Sequence, residues 1–259
     1  MPPDERPPAS RRLSGWRPGQ AGLEELTDLL ATATLTVEGR LPWSSNLSLL
    51  VTVDAPRLGD TATPLHAVYK PGQGERPLWD FPDGLYRREV AAAVLSDALG
   101  WGLVPPTVLR RDGPLGSGSV QLFVDADYEE HFFTLVETGR YDEALRAICA
   151  FDVVANNADR KSGHVLLGAG GRLWAIDHGL CFHEAPKLRT VIWDFAGDPV
   201  PTHLLDDLAA LVDDLPPELA GLLAPAECAA IARRAAGLVE TGCFPEPAGD
   251  RPPYPWPLI

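Results

Sequence analysis

Apolar runs long enough to cross a bilayer are missing from this 259-residue sequence; none nears the ~20 residues a spanning helix needs. Positive charge is also short. Lys and Arg number 22 against 36 Asp and Glu, a formal charge of −14. That balance excludes a sequence-independent nucleic-acid binder, which needs a basic face, and opposes electrostatic docking on an anionic membrane. The four cysteines (Cys149, Cys181, Cys228, Cys243) are scattered without a C-x-x-C spacing, so reduced thiols in a cytoplasm are expected. Residues Met1 to Gly19 lack the apolar segment of a secretory signal; their Pro/Arg-rich composition predicts a disordered tail. No internal repeat is visible. What is present is a hydrophobic content of 45%, ample for one domain of two lobes or for two small domains.

The most informative stretch runs from Phe151 to Leu180. An apolar helix end leads to Asp159-Arg160, then to His164 and the apolar run Val165 to Leu167. A glycine turn (Gly168, Gly170, Gly171) precedes a second strand, Leu173 to Ile176, which ends in Asp177. One carboxylate thus stands before a hairpin and another just after it. Phosphoryl transfer asks for such a pair: one carboxylate to orient the attacking hydroxyl, the other to hold a divalent cation on the nucleotide phosphates. In protein kinases the catalytic-loop Asp precedes a metal-binding Asn by five residues, with Lys two after the Asp. Asp159, Lys161 and His164 keep that spacing, with His in place of Asn.

These residues resemble the catalytic and metal loops of the phosphatidylinositol 3- and 4-kinase-like family, especially the type II 4-kinases and their bacterial relatives. The family pattern D-x-x-x-x-N-x-DR-x-x-x-N followed by ID-x-G is met by Asp152, Asn157, Asp159-Arg160, His164 and Ile176-Asp177-His178-Gly179. The resemblance spans Thr34 to Phe182. It implies an α+β, two-lobed, protein-kinase-like fold: a small β-rich N-lobe over 20–124, a helical C-lobe over 125–242, and a Pro-rich tail over 243–259.

In chain order, a helix is predicted over Leu23 to Ala33, followed by a β-hairpin of Thr34 to Val37 and Leu47 to Val53. At its tip Ser44, Ser45 and Asn46 could offer donors to phosphate oxygens; an ordinary turn is the alternative. The strand Leu65 to Lys70 ends in a lysine. In a kinase N-lobe that lysine reaches the nucleotide phosphates and pairs with a helical Glu. The helix Tyr86 to Leu99 supplies Glu89; Arg87 and Arg88 compete for ion pairing, and Glu89 could instead face solvent. Trp79 and Phe81, in the polar segment between, are expected to anchor it to the core; contact with a substrate is the alternative. Strands are predicted over Leu103 to Leu109 and Ser119 to Val124, around a turn at Arg110 to Gly118. The resemblance makes Gln121, Leu122, Phe123 and Val124 the hinge whose backbone meets adenine. Helices follow over Tyr128 to Glu137, Tyr141 to Val154, Leu204 to Val212, Glu218 to Leu223 and Ala226 to Glu240. The Pro-rich tail is expected to lie extended on the surface.

Asp159 is assigned to the acceptor hydroxyl, acting by geometry and electrostatics, and Asp177 to Mg²⁺ or Mn²⁺. His164 would be a second metal ligand, its softer nitrogen favouring Mn²⁺. Arg160 would pin the loop or meet a phosphate, Lys161 would neutralise charge on the transferring group, and Asp152 and Asn157 would be scaffolding. The implied cofactors are ATP and Mg²⁺ or Mn²⁺, and the acceptor a hydroxyl of a protein or soluble small molecule. Two other activities share these residues: a nucleotide-binding pseudokinase and an adenylyl-transferring enzyme. A zinc site of His164, Asp177, His178 and His183 is a rival constellation, though without zinc-motif spacing.

Overall fold

Alternation of buried and half-buried residues builds an antiparallel sheet. β1 (Leu35–Arg40), β2 (Leu49–Val53), β3 (Leu65–Pro71), β4 (Thr107–Gly113) and β5 (Gly116–Leu122) lie in the order β1-β2-β3-β5-β4. The computed structural model describes residues 22–42, 46–55, 64–249 and 252–259. The tail expected over 1–19 and the hairpin-tip residues Ser44 and Ser45 lie outside the described residues. β2 and β3 send Val51, Val53, Leu65, Ala67 and Tyr69 into one core, closed by Leu26 and Leu30 of α1 (Leu23–Thr32).

Three strands differ from their predicted extents; β5 begins at Gly116 and ends at Leu122, where Ser119 to Val124 is predicted. β1 continues through Glu38 to Arg40, with its pairing to β2 shifted between Val37 and Gly39. At a sheet edge those polar side chains stay solvated, so the apolar pattern stops before the strand does. β4 starts only at Thr107, after Pro105 and Pro106, which have no N–H to pair. It runs through Arg110, where a turn is predicted. The guanidinium there is buried: Nη1 donates to the carbonyls of Leu30 at 3.1 Å and Ala33 at 2.8 Å. It satisfies the open end of α1.

α2 (Leu85–Ala98) presses an alanine-rich face (Ala91, Ala92, Ala93, Leu95) into the helical lobe. That lobe comprises α3 (Phe132–Glu137), α4 (Asp142–Ala155), α5 (Thr202–Asp213) and α6 (Pro225–Thr241). Residues 128–131 are not helical; α3 starts after His131, whose N–H donates to Thr134 Oγ1 at 3.0 Å. A small second sheet, β6 (Ala126–Asp127), β7 (Val165–Gly168) and β8 (Leu173–Ala175), lies at the junction. Leu166 and Trp174 join the N-terminal core, while Val165, Leu173 and Ala175 join the helical one. The hairpin between the two carboxylates is therefore clamped on both faces. No helix among the described residues is long and apolar enough to cross a membrane.

Candidate active site

β3 delivers Lys70 and α2 delivers Glu89 to one point. The Lys70 ammonium donates to Glu89 Oε1 and, at 2.9 Å, to Asp177 Oδ1. Burial works against the ammonium, but the carboxylates of Asp177 and Glu89 outweigh it and raise its pKa. Asp177 is held well below the usual carboxylate range, first by Lys70 and against some burial. Its backbone is left-handed, φ 59°, which turns the carboxylate out of the β8 direction. Glu89 Oε2 accepts the His178 N–H at 3.0 Å, so Glu89 faces the cleft and not solvent.

α4 ends at Asn156, which adopts φ 53° in the left-handed region and stops the helix; the catalytic loop begins there. Asn157 Nδ2 donates to Asp152 Oδ1 at 3.0 Å, and Asn157 Oδ1 accepts the Asp159 N–H at 3.0 Å. Both are scaffold groups. Burial is the largest influence on Asp159 and lifts its pKa to about 6, helped by Asp177 and opposed by Lys161. Lys161 Nζ stands 3.4 Å from Asp159 Oδ2.

Arg160 pins the loop and does not open onto the cleft: it is 0% exposed. Its guanidinium grips Asp152 through Nε and Nη2, and Nη1 donates to the carbonyls of His164 at 3.2 Å and Ile176 at 2.8 Å. Its Nη2 also lies 2.8 Å from His178 Nε2. Burial, reinforced by Arg160, lowers the His178 pKa, so that ring accepts.

His164 Nε2 lies 3.4 Å from Asp177 Oδ2. Burial lowers its pKa to about 4, against the pull of Asp177, so the imidazole is neutral, as a metal ligand must be. The Lys161 N–H faces Nδ1 at 3.4 Å, which favours the Nε2–H tautomer. Nε2 can join Asp177 on a cation in the other neutral tautomer, with the ring proton moved to Nδ1 and the Lys161 N–H turned away. One ionised carboxylate and one neutral imidazole fit a divalent cation of the Mg²⁺ or Mn²⁺ class. The zinc constellation does not form: His178 is committed to Arg160, and His183 Nδ1 accepts the Ala185 N–H at 3.0 Å. Among the described residues no group of three or more His, Cys, Asp or Glu converges on a metal position.

The hinge segment is largely committed to the fold. Gln121 sits within β5 between Val68 and Thr107. The N–H groups of Leu122 and Phe123 donate to the carbonyls of Pro106 at 2.8 Å and His66 at 3.0 Å. Val124 is buried in the N-terminal core beside Leu122 and Trp174. Asn46 Oδ1 accepts the Arg76 N–H at 2.9 Å, tying the hairpin tip to the segment after β3.

In that segment Phe81 packs on Leu85 and Ala158 as expected, whereas Trp79 is 97% exposed. Phe81, with Asp80 bound to Lys187 at 2.9 Å, already anchors the loop, which leaves Trp79 at its tip. Sequence reasoning also missed the partner of Arg88: the guanidinium donates to Glu227 on α6 and to the Cys181 carbonyl. Its only sequence signal is a charge on the apolar face of α2.

A family model described as phosphatidylinositol 3- and 4-kinase matches residues 108–228. "Protein Rv2133c" of Mycobacterium tuberculosis is 41% identical over 269 residues, spanning 89% of this chain and 94% of its own. The solved Golgi casein kinase resembles the chain with a TM-score of 0.53 at 16% identity, over 84% of this chain and 74% of its own. The structure of hydra Fam20 with sugar gives 0.50 at 15%, over 85% and 88%. Likeness at such identity is one of fold, and the fold is kinase-like. With the matched segment covering both loops and the sequence kinship running nearly end to end, the chain belongs to the phosphatidylinositol 3-/4-kinase-like family.

Proposed function

We propose that this protein is an ATP-dependent phosphotransferase that moves the γ-phosphoryl group to a hydroxyl of a protein or a soluble small molecule. The observation that carries the reading is the Lys70 ammonium held between Glu89 and Asp177, a cation from one lobe placed over a carboxylate of the other. Lys70 would bind the nucleotide phosphates, fixed in direction by Glu89. Asp177 and His164 would hold Mg²⁺ or Mn²⁺, which neutralises charge on the phosphates when bound. Asp159 would orient the acceptor hydroxyl and take its proton, and its raised pKa suits it to that exchange near neutrality. Lys161, beside it, would balance charge on the transferring group. The backbone of the Gln121–Val124 hinge would meet the adenine edge. Asn46, Ser44 and Ser45 would border the phosphates. The four unpaired thiols suit a reducing cytoplasm.

The test is incubation with ATP labelled at the γ or the α phosphate, with Mg²⁺ or Mn²⁺ and candidate protein and metabolite acceptors. Transfer of the γ label, lost in Asp159→Ala and Asp177→Ala, supports the proposal. Transfer of the α label would assign adenylyl transfer instead, and nucleotide binding with no transfer of either would make the chain a pseudokinase.

A further inference from the structure

Ser162 lies three residues after Asp159 and is fully buried. It opens the short 3₁₀ turn that ends at His164. The first N–H of such a turn has no partner within it, and a buried donor must find one. Here the acceptor is distant in sequence: the Ser162 N–H donates to the carbonyl of Leu258 at 2.8 Å.

A second attachment lies nearby. The Pro253 carbonyl accepts the Thr190 N–H at 3.0 Å and Trp193 Nε1 at 3.1 Å. Thr190 belongs to the segment that braces the catalytic loop from outside. The Arg189 N–H donates to Asn157 O at 2.9 Å, Arg160 N–H to Arg189 O at 3.1 Å, and Val191 N–H to Arg160 O at 3.1 Å. Residues 252–259 therefore hold the loop directly at Ser162 and indirectly through Thr190. Between the two points Pro255 is buried, and the Leu258 side chain packs on the helical core. Trp256, 87% exposed, faces away. The backbone of the segment, tethered by two apolar side chains, makes the attachments.

We propose that residues 252–259 are a positioning element of the active site, with the Leu258 carbonyl fixing the Asp159–His164 loop through Ser162. The loop carries Asp159 at one end and His164 at the other, so slack at Ser162 changes the spacing of both. Displacement of about 1 Å in a reacting group costs on the order of 10²-fold in rate. Lys70, Glu89 and the predicted hinge form no hydrogen bond or ion pair with this segment among the described residues, so nucleotide affinity in the absence of a divalent metal should not depend on it. The catalytic half of the inference rests on the phosphotransferase reading; the structural half does not.

The experiment compares the full chain, Leu258→Asp in the full chain, and a chain ending at residue 249. Each is followed by amide hydrogen exchange, ATP binding and γ-label transfer. Exchange at Ser162 and Thr190 should accelerate at least tenfold in both variants, while the β3 and α2 amides and the ATP dissociation constant measured without a divalent metal stay within about twofold, certifying the fold. Transfer should drop about 10- to 100-fold in kcat, and the conservative Leu258→Met should retain it. Unchanged protection of Ser162 and Thr190 would overturn the inference whether or not the protein transfers phosphate. Faster exchange with undiminished transfer would overturn the positioning role. Should the wild-type chain transfer nothing, the phosphotransferase reading fails, and the exchange data alone decide whether the segment holds the loop.

Discussion

The carboxylate of Glu89 accepts the backbone N–H of His178 at 3.0 Å with the oxygen that Lys70 does not use. One side chain of α2 therefore sets both the lysine of β3 and the loop that carries Asp177. Glu89→Gln keeps the shape and one acceptor but removes a charge. Lys70 would then lean on Asp177 alone and compete with a cation for it. The expected outcome is a 10- to 100-fold fall in γ-label transfer, about 1.4–2.8 kcal/mol in the barrier, with half-saturation by Mg²⁺ moved to higher concentration. A metal titration of the transfer rate checks it.

Asp159 should leave its mark on the pH profile. In its proposed role it takes the acceptor proton only when ionised, and burial raises its folded pKa to about 6. The transfer rate should therefore climb through about pH 6 and level off above it. Removing the opposing cation in Lys161→Met should move the midpoint upward. The stability linkage has the opposite sense. A carboxyl whose folded pKa is raised favours the fold while protonated and loses that contribution as pH rises from the unfolded value through about 6. Asp159→Asn should thus be inactive yet more stable at pH 8 by roughly 1–3 kcal/mol, with the gain absent near pH 4. Denaturant melts at the two pH values settle the matter.

His164 gives a prediction about the metal. An imidazole is a softer donor than an amide oxygen, and its proton must move from Nε2 to Nδ1 before Nε2 can ligate. His164→Asn replaces it with an oxygen that needs no such change. The wild-type protein should work better with Mn²⁺ than with Mg²⁺, and the variant should reverse or narrow that ratio by about tenfold. Parallel rate measurements with each metal test this; a wild-type preference for Mg²⁺ would count against a ligating role for His164.

The sequence disclosed groups whose position is set by a strong local pattern. Lys70 closes an alternating strand, Glu89 stands in a helix of high propensity, and Asp159 and Asp177 bracket a glycine-turned hairpin. What stayed hidden depends on which distant surfaces meet. Arg88 and Glu89 are adjacent charges on one helix, and nothing local tells which turns to Lys70 and which to Glu227, 139 residues from Arg88. The extent of β4 was obscured because Arg110 answers to the end of α1 and not to its own strand. Trp79 and Phe81 have equal claim to burial by composition, and Asp80 with Lys187 decides which ring turns inward. Residues 252–259 read as a proline-rich tail; their carbonyls acquire a role from Ser162 and Thr190 across the fold.

Arg160 gives the sharpest stability prediction. Its guanidinium serves Asp152, two carbonyls and the His178 ring at once, joining α4, the Asp159 loop and the Asp177 loop in a fully buried space. Arg160→Met would leave the Asp152 carboxylate buried without its counter-charge, a loss of about 3–5 kcal/mol. Arg160→Lys should recover little, since a single ammonium cannot reproduce a planar fork spread over these acceptors. Removing both charges in Arg160→Met/Asp152→Asn eliminates the stranded carboxylate, so the double variant should be more stable than Arg160→Met alone. The difference from additivity reads the coupling between the two side chains. Guanidinium chloride unfolding with unchanged slope but shifted midpoint provides the measurement, and simple additivity of the two single losses would contradict the pairing.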